Sequence, residues 1–485
     1  MVGHGATLLR SGGIKAATTG AVAMLGLAAT AVLARSLDQA ALGVFALVLA
    51  VVQIGTMLAD GGTNLATTRF VAAAAANAER RQALASGLRA RLLMTGGVLV
   101  VGTALMPWLL DVLYHGALPS RAFLWVLAWI VAKSLFLFAP AVARGRMAWA
   151  LEGGLLVLES LAILAAYTSL QIWPCGPSGL PLRLALAYLL LLPPAWACLR
   201  LPTVPAGAPE VPVTVRRLLA FGLPLVLNSS IFLLLTWTDR IMIGVLSSPG
   251  DLAIYFIAAN LAGAGRVLFS IPEQVLYSHL AAHTRAGDPG LPRLHKHLFR
   301  LFSSLGALFV VAVGAIGIIV IPLLYGETYA ASVWPFQLLL VVLLVRVVSI
   351  PASLLLIGVH ERTVETRDAL ALAFAMNVLV NLLLIPPFGL VGAIIGSLLA
   401  FLTATGYLWW SLWRVAGLRP GVADLATSLL PAALWLAIVG ALRLDRIAPW
   451  FAWVAQGLLI VGLAFVAWRQ ITRIGLIGAE KAAAP

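Results

Sequence analysis

Apolar runs of membrane-spanning length recur along the whole sequence, separated by short segments that carry charge, Pro and Gly. About 20 apolar residues cross the hydrocarbon core of a bilayer as a helix, whereas a strand of a membrane barrel alternates apolar and polar positions over about 10 residues. The runs in this chain are continuous rather than alternating. The pattern therefore predicts an all-α polytopic membrane protein.

The runs predict fourteen transmembrane helices, six before a Pro-rich polar linker at 201–215 and eight after it. The first run follows Arg10 and Lys15 as a signal peptide would, but it is longer than the usual apolar segment of about 7 to 15 residues, so we retain it as a helix. The predicted helices lie near 14–34, 41–69, 87–110, 121–141, 149–168, 181–200, 219–246, 251–278, 298–325, 331–357, 363–385, 389–413, 423–442 and 447–469.

Composition agrees with this pattern, and the distribution of basic residues predicts which membrane side the termini face. The chain is 62% hydrophobic and 10% charged, with a mean hydropathy of +1.02. Its net charge of +14 comes from basic residues scattered through short loops, which is typical of membrane topology and not of a nucleic-acid-binding face. Lys and Arg concentrate on the cytoplasmic side of membrane proteins. Their distribution here predicts cytoplasmic N- and C-termini, with Arg80, Arg81, Arg89 and Arg91 in one cytoplasmic loop.

The short connections count against an enzyme. None of the predicted loops is long enough for a folded catalytic domain outside the membrane, and the sequence has no Gly-x-x-x-x-Gly-Lys-Ser/Thr loop for ATP. Cys175 and Cys198 are the only cysteines, and they lack the spacing of metal ligands. We therefore predict a protein without a disulfide, a metal site or another cofactor.

A weak internal repeat divides the chain into two halves. The segment LGVFAL at Leu42–Leu47 aligns with LAIYFI at Leu252–Ile257, an offset of about 210 residues, and each follows a helix and a short polar loop. Six helices per copy give both copies one orientation, with a substrate site between them near the middle of the membrane. The predicted parts are a six-helix bundle at 1–200, a cytoplasmic linker at 201–215, a second six-helix bundle at 216–415, and two further helices with a tail at 416–485.

Four cations fall inside predicted helices: Lys133, Arg240, Arg266 and Arg346. A charge in lipid is costly and is normally retained where it faces a bundle interior or an aqueous cavity. The repeat brings Lys133 and Arg346 to near-equivalent positions, so we predict that the four cations bind substrate phosphate in a central cavity. The alternative is that each cation pairs with an acid and stabilises the bundle. The acids available for such pairs are Asp60, Glu159, Asp239 and Glu273.

Three polar features leave alternatives open. Asp60 precedes two glycines, so it either caps a helix bend, which we favour, or holds a coupling proton or sodium ion. Asp239 and Arg240 are neighbours that do not face each other on a helix, so at most one points straight into the cavity. Asn377 and Asn381 lie one turn apart and either join helices by hydrogen bonds or line the substrate cavity.

Three stretches resemble the polysaccharide transporter branch of the multidrug, oligosaccharidyl-lipid and polysaccharide flippase superfamily. They are LARSLDQAALGVFALVLAVVQIGTMLADGG from Leu33, TDRIMIGVLSSPGDLAIYFIAA from Thr238 and MNVLVNLLLIPPFGLVGAIIGS from Met376. The resemblance implies two pseudo-symmetric six-helix bundles around a central cavity, with two additional C-terminal helices.

The resemblance also implies a function in the bacterial plasma (inner) membrane. It implies a flippase that moves undecaprenyl-pyrophosphate-linked oligosaccharide from the cytoplasmic to the outer leaflet by alternating access, for O-antigen, capsule or exopolysaccharide. Expected partners are the lipid-linked oligosaccharide, the bilayer, a polysaccharide polymerase and glycosyltransferases, with proton or sodium coupling as one energy source. The alternatives are a flippase for the peptidoglycan lipid precursor, an ion-coupled exporter of small molecules or drugs, and a membrane scaffold for a polymerase.

Overall fold

The computed structural model describes residues 2–74, 77–114, 119, 122–197, 199, 213–284, 287–443 and 449–483. These residues are almost entirely helical, and no strand occurs among them. The prediction of an all-α protein is confirmed.

Within the described residues, fourteen α-helices, numbered in chain order, cover most of each predicted apolar run. The first seven are α1 (Val2–Ser36), α2 (Gln39–Asp60), α3 (Thr63–Ala73), α4 (Asn77–Tyr114), α5 (Ala122–Gly145), α6 (Trp149–Thr168) and α7 (Leu180–Ala197). The others are α8 (Val215–Leu246), α9 (Pro249–His283), α10 (Leu291–Tyr325), α11 (Val333–Gly358), α12 (Thr363–Ala416), α13 (Val422–Arg443) and α14 (Pro449–Ala483). Short 3-10 helices occupy Ser169–Gln171 and Glu327–Ser332.

The helix predicted at 41–69 is wrong in one respect, because the chain breaks it into α2 and α3. Gly61 and Gly62 separate the two with φ angles of +49° and +78°. Residues with a Cβ rarely adopt this left-handed region, whereas glycine does so readily. The Gly61 N–H donates to the Met57 carbonyl at 3.2 Å, which closes the last turn of α2.

The α12 helix contains both predicted helices, at 363–385 and 389–413, as an antiparallel pair. Its 54 residues would extend about 80 Å if straight, more than twice the thickness of the hydrocarbon core. Gly389, with φ 54° and ψ −134°, interrupts the helical geometry just after Pro386 and Pro387. A Cβ added at Gly392 would collide with the carbonyl oxygen of Leu384, which a straight helix would place far away. The chain therefore folds back on itself at Gly389.

The helices form a multi-pass membrane protein. Within the described ranges, twelve helices are long and apolar enough to span a bilayer, and α12 is counted once among them. Large apolar side chains cover their outer faces, including Leu93 at 63% exposure and Leu190 at 77%. Such a surface is unfavourable in water but matches the acyl chains of lipids. The orientation of the termini stays a prediction.

The helix boundaries reproduce the predicted repeat. The α1 helix ends at Ser36 and α8 at Leu246, while α2 begins at Gln39 and α9 at Pro249. Each of these four boundaries therefore has its counterpart 210 residues away. The second helix in each of these pairs, α2 and α9, is also capped by a side-chain oxygen. The Asp38 carboxylate accepts a hydrogen bond from the Ala41 N–H, and the Ser248 hydroxyl accepts one from the Asp251 N–H.

The chain divides into two compact units, Met1–Phe256 and Ile257–Pro485. In the first unit, α5 packs against α2, α3, α4, α6 and α7, and α8 packs against α2, α3 and α4. In the second unit, α10 packs against α11, α13 and α14, and α11 packs along α12. The domain boundaries that we predicted at 200, 215 and 415 stay predictions, and most of the linker lies outside the described residues.

Candidate functional site

Lys133 is buried in the middle of α5, at 8% exposure. Its ammonium donates a hydrogen bond of 3.0 Å to the side-chain oxygen of Gln53 on α2. Glu159 on α6 acts on Lys133 electrostatically and accepts a hydrogen bond from the Tyr188 hydroxyl on α7. Among the described residues, Lys133 makes no direct ion pair. Since an ammonium carries three donors, Lys133 retains the capacity to bind a further acceptor.

Asp60 lies at the break between α2 and α3, as the favoured alternative predicts. Its Oδ1 accepts hydrogen bonds from the Asn64 N–H at 3.0 Å and the Thr63 hydroxyl at 3.2 Å, so it caps the start of α3. The same oxygen lies 2.8 Å from the Arg91 guanidinium on α4. Arg91 also donates to the Asn64 side-chain oxygen and to the Ser134 hydroxyl. This carboxylate is therefore engaged in a helix cap and an ion pair.

The assignment of Arg80, Arg81, Arg89 and Arg91 to one loop is wrong, because all four lie on α4. The α4 helix begins at Asn77, well before the predicted start at 87, and Arg91 is fully buried within it. The apolar run marks only the part of this helix that follows its polar first turns, so the pattern alone does not place these arginines on the helix. The acid at Asp60 in the preceding helix was the available signal, because a buried arginine requires a partner.

Asp239 and Arg240 on α8 are both buried, at 3% and 5% exposure. Asp239 accepts a hydrogen bond of 2.7 Å from the Tyr255 hydroxyl on α9. Arg240 donates to the Thr236 carbonyl at 2.8 Å, and its guanidinium lies 4.2 Å from the centre of the Trp237 ring. Arg240 also interacts electrostatically with Asp239 and Tyr255, so the two neighbours share one charged environment.

In the second unit, Arg266 and Glu273 on α9 and Arg346 on α11 form one electrostatic group. Glu273 interacts with both arginines, and the two arginines act on each other. Arg346 is half-buried with its guanidinium 4.5 Å from the centre of the Phe401 ring, while Arg266 is exposed. Two cations around one carboxylate leave an excess of positive charge. This is the arrangement that favours an anionic ligand.

Asn377 and Asn381 are fully buried in the first segment of α12. The Asn381 amide donates to the Asn377 side-chain oxygen at 3.2 Å. A Cβ added at Gly396, in the return segment, would collide with the Asn381 side-chain oxygen. This packing favours the hydrogen-bonding alternative, while substrate binding by the two asparagines stays a prediction.

An apolar cavity of about 530 Å³ lies between α2, α4 and α5 in the first unit. Gly55, Gly97 and Gly102 contribute to its wall, and Ile130 lies on it one turn before Lys133. Its lining exposes almost no polar surface. The cavity therefore suits hydrocarbon and not the charged part of a ligand.

Residues 8–278, more than half of the chain, match the family described as polysaccharide biosynthesis protein. The chain belongs to this family. No curated protein sequence matches it.

Two solved structures share the fold of this polysaccharide biosynthesis protein. The lipid II flippase MurJ in an inward closed conformation has a TM-score of 0.71 at 12% identity, covering 96% of this chain and 99% of the other. An inward-facing multidrug resistance MATE family transporter of the MOP superfamily has a TM-score of 0.65 at 15% identity, covering 81% of this chain and 95% of the other. The predicted resemblance to a polysaccharide family is confirmed by the family match, and the two solved structures share the fold.

Several polar partners in this family member were not predicted from the sequence. Gln53, Asn64, Thr95 and Ser134 are neutral polar residues and carry no charge that would mark them. The structure joins three of them to Arg91, directly or through the 3.0 Å contact between Ser134 and Thr95, and Gln53 to Lys133. Isolated neutral polar residues in a transmembrane run are thus the signal that finds such partners.

Proposed function

We propose that this protein is a flippase, not an enzyme, that moves undecaprenyl-pyrophosphate-linked oligosaccharide from the cytoplasmic to the outer leaflet of the bacterial inner membrane. The movement is by alternating access, and the product supplies O-antigen, capsule or exopolysaccharide assembly. A polysaccharide polymerase and glycosyltransferases are the proposed partners. Membership of the polysaccharide biosynthesis family and the transporter fold support this proposal.

The observation that carries the proposal is the excess of cations over acids around Glu273. Arg266 and Arg346 share that one carboxylate. A pyrophosphate bound to the two guanidinium groups would balance the remaining charge, and arginine binds phosphate oxygens in fork geometry. Intramembrane charges are costly and are usually functional, so two neighbouring arginines beside one carboxylate favour an anionic substrate over a cationic drug.

We assign Lys133 and Arg240 to the same substrate in the first unit. Lys133 is held by the neutral side chain of Gln53, so its charge is not cancelled by a direct acid. Arg240 Nη1 donates a hydrogen bond to the Thr236 carbonyl on the same helix, and the guanidinium stacks on Trp237. These two contacts orient the guanidinium. In this proposal the sugars occupy an aqueous path and the lipid tail stays in the bilayer.

Asp60 has a structural role in this proposal. Its carboxylate caps α3 and pairs with Arg91, so binding a coupling ion would require one of these contacts to break. The membrane potential supplies part of the driving force instead. Moving negative charge outward across an inside-negative membrane is favourable by about 2.3 kcal/mol per charge per 100 mV. Cotransported protons or sodium ions would change this sum by the same amount per charge.

The test is translocation of a lipid-linked oligosaccharide by the purified protein in proteoliposomes, together with depletion in cells. Depletion should lead to accumulation of the lipid-linked oligosaccharide on the inner leaflet. The double substitution Arg266→Gln and Arg346→Gln should abolish translocation, whereas Arg266→Lys with Arg346→Lys should retain part of it. Arg293→Gln, an exposed position on α10, is the matched control.

Two results would decide against the proposal. Unchanged translocation by the Gln double variant, present at wild-type abundance, would show that the two arginines do not bind the substrate. Rescue of a strain that lacks its peptidoglycan-precursor flippase, without any effect of depletion on other glycolipids, would favour the lipid precursor of peptidoglycan as the substrate.

A further inference from the structure

The fold-back of α12 brings its two ends together at one membrane face, where they form a polar pocket of about 360 Å³. Positive-inside charge predicts that this face is cytoplasmic. The polar and aromatic residues that line the pocket are Arg362, Glu365, Tyr407, Trp410, Ser411 and Arg414. All of them belong to the second unit and none belongs to the group around Glu273.

Two buried oxygens in this pocket have no hydrogen-bond partner among the described residues. One is Oε2 of Glu365, whose other oxygen lies 3.6 Å from the Arg362 guanidinium. The second is the hydroxyl of Ser411, a residue that is only 3% exposed. Buried polar atoms are nearly always hydrogen-bonded, so these two oxygens indicate a ligand that donates hydrogen bonds.

The same pocket carries two arginines with donors to spare. Arg414 makes no ion pair among the described residues, and its guanidinium lies 4.9 Å from the centre of the exposed Trp410 ring. Within the described residues Arg362 makes one ion pair, the long contact with Glu365, and it also acts electrostatically on His360. Arginine and tryptophan at the end of a membrane span are typical of the headgroup region of a bilayer. The charges of the pocket are thus two positive and one negative, arranged at the depth of lipid headgroups.

We propose that this pocket binds the headgroup of a phospholipid that carries both a phosphate and a primary ammonium, as phosphatidylethanolamine does. Arg362 and Arg414 bind the phosphate, while Glu365 Oε2 and the Ser411 hydroxyl accept hydrogen bonds from the ammonium. Trp410 and Tyr407 flank the glycerol region. The headgroup of phosphatidylglycerol would satisfy the arginines but would offer the Glu365 carboxylate only neutral hydroxyl donors in place of a charged ammonium. A choline headgroup has no N–H to donate.

Native mass spectrometry of the full-length protein tests this assignment. The protein is extracted from vesicles that contain equal amounts of phosphatidylethanolamine, phosphatidylglycerol and phosphatidylcholine with identical acyl chains. We expect the wild type to retain the ethanolamine lipid about tenfold over either of the others, because one charge-assisted hydrogen bond corresponds to about that ratio. Equal retention of the three lipids, or equal retention of the ethanolamine and choline lipids, would overturn the proposal. So would displacement of the lipid by inorganic phosphate alone.

Four variants, one of them a control, test the two parts of the pocket. Glu365→Gln should abolish the preference for the ethanolamine lipid over the glycerol lipid, and Arg414→Gln should reduce retention of both. Arg419→Gln, exposed at the same membrane end but outside the pocket, should behave as the wild type. Where Glu365→Gln does not yield folded protein, Ser411→Ala should lower the same preference. If both Glu365→Gln and Ser411→Ala kept the wild-type preference for the ethanolamine lipid, the proposed ammonium site would be wrong.

Discussion

The guanidinium of Arg91 and the carboxylate of Asp60 form an ion pair 2.8 Å apart in which the arginine is fully buried. The pair joins α4 to the break between α2 and α3, because the same carboxylate caps α3. A buried ion pair contributes little over an apolar replacement of both partners, but removing one partner leaves an uncompensated charge. The pair therefore determines where the broken helix can lie.

Single substitutions of this pair should be far more damaging than the double substitution. Asp60→Asn or Arg91→Met should each lower the free energy of unfolding by about 3 to 5 kcal/mol, whereas the double variant should recover a substantial part of that loss. Thermal unfolding of the detergent-purified protein gives the comparison. Arg89→Met, at an exposed position on the same helix, should change stability by less than about 0.5 kcal/mol. Additive losses in the double variant would contradict a direct pair.

The contact between Gly62 and Gly222 predicts that alanine substitutions at two glycines change stability in opposite directions. A Cβ at Gly62 would collide with the backbone of Gly222, and its φ of +78° is unfavourable for any L side chain. We expect Gly62→Ala to lose more than about 2 kcal/mol of stability, since backbone strain and the collision add. Gly96→Ala in α4 is the matched control, because nothing lies within 4 Å of its added Cβ. The control should gain up to about 1 kcal/mol from helix propensity. Similar melting temperatures for the two variants would rule out a close approach of α3 and α8.

Lys133 is predicted to act in transport more than in stability. Lys133→Met should reduce translocation of the lipid-linked oligosaccharide at least tenfold, because a charge-assisted contact contributes about 1.5 to 3 kcal/mol and each 1.4 kcal/mol is tenfold. Lys133→Arg should restore part of the rate. The comparison is made in proteoliposomes at equal protein abundance. Transport at the wild-type rate by Lys133→Met would show that this lysine has only a structural role, through its contact with Gln53.

Cys175 provides a test of orientation and of its own reactivity. It lies between α6 and α7, on the predicted outer side, and partial burial raises the pKa of its thiol while Arg183 opposes that shift. The thiolate is the reactive form, so a raised pKa leaves less of it at neutral pH. In a Cys198→Ser background, a membrane-impermeant maleimide added to intact cells should label Cys175. The reaction should be slower than the reaction of the same maleimide with a small thiol in solution. The rate should still be rising above pH 8.5, the region where an ordinary cysteine titrates.

The matched control for that experiment keeps Cys198 and replaces Cys175 by Ser. Cys198 lies outside the described residues and is predicted near the cytoplasmic face, so labelling should require permeabilised cells. The reverse pattern in the two variants would invert the predicted topology.

Helix positions could be predicted because lipid imposes a simple rule on length and polarity, which the apolar runs at 121–141 and 149–168 satisfy directly. The break at Gly61 and Gly62 was less predictable, since glycine is common within transmembrane helices and only backbone angles distinguish a bend from a continuous helix. The cations were visible as charges. Their partners, such as Gln53 for Lys133, were not, because that pairing spans 80 residues and depends on how α2 packs on α5.

The fold-back of α12 has a consequence for how the chain enters the bilayer. The first segment, taken alone, would carry the amides of Asn377 and Asn381 into hydrocarbon, where bare polar groups are costly. The return segment packs against this part of the helix, with Gly396 in contact with the Asn381 side chain. Biogenesis of this region should therefore proceed with both segments leaving the translocation machinery as one preassembled hairpin.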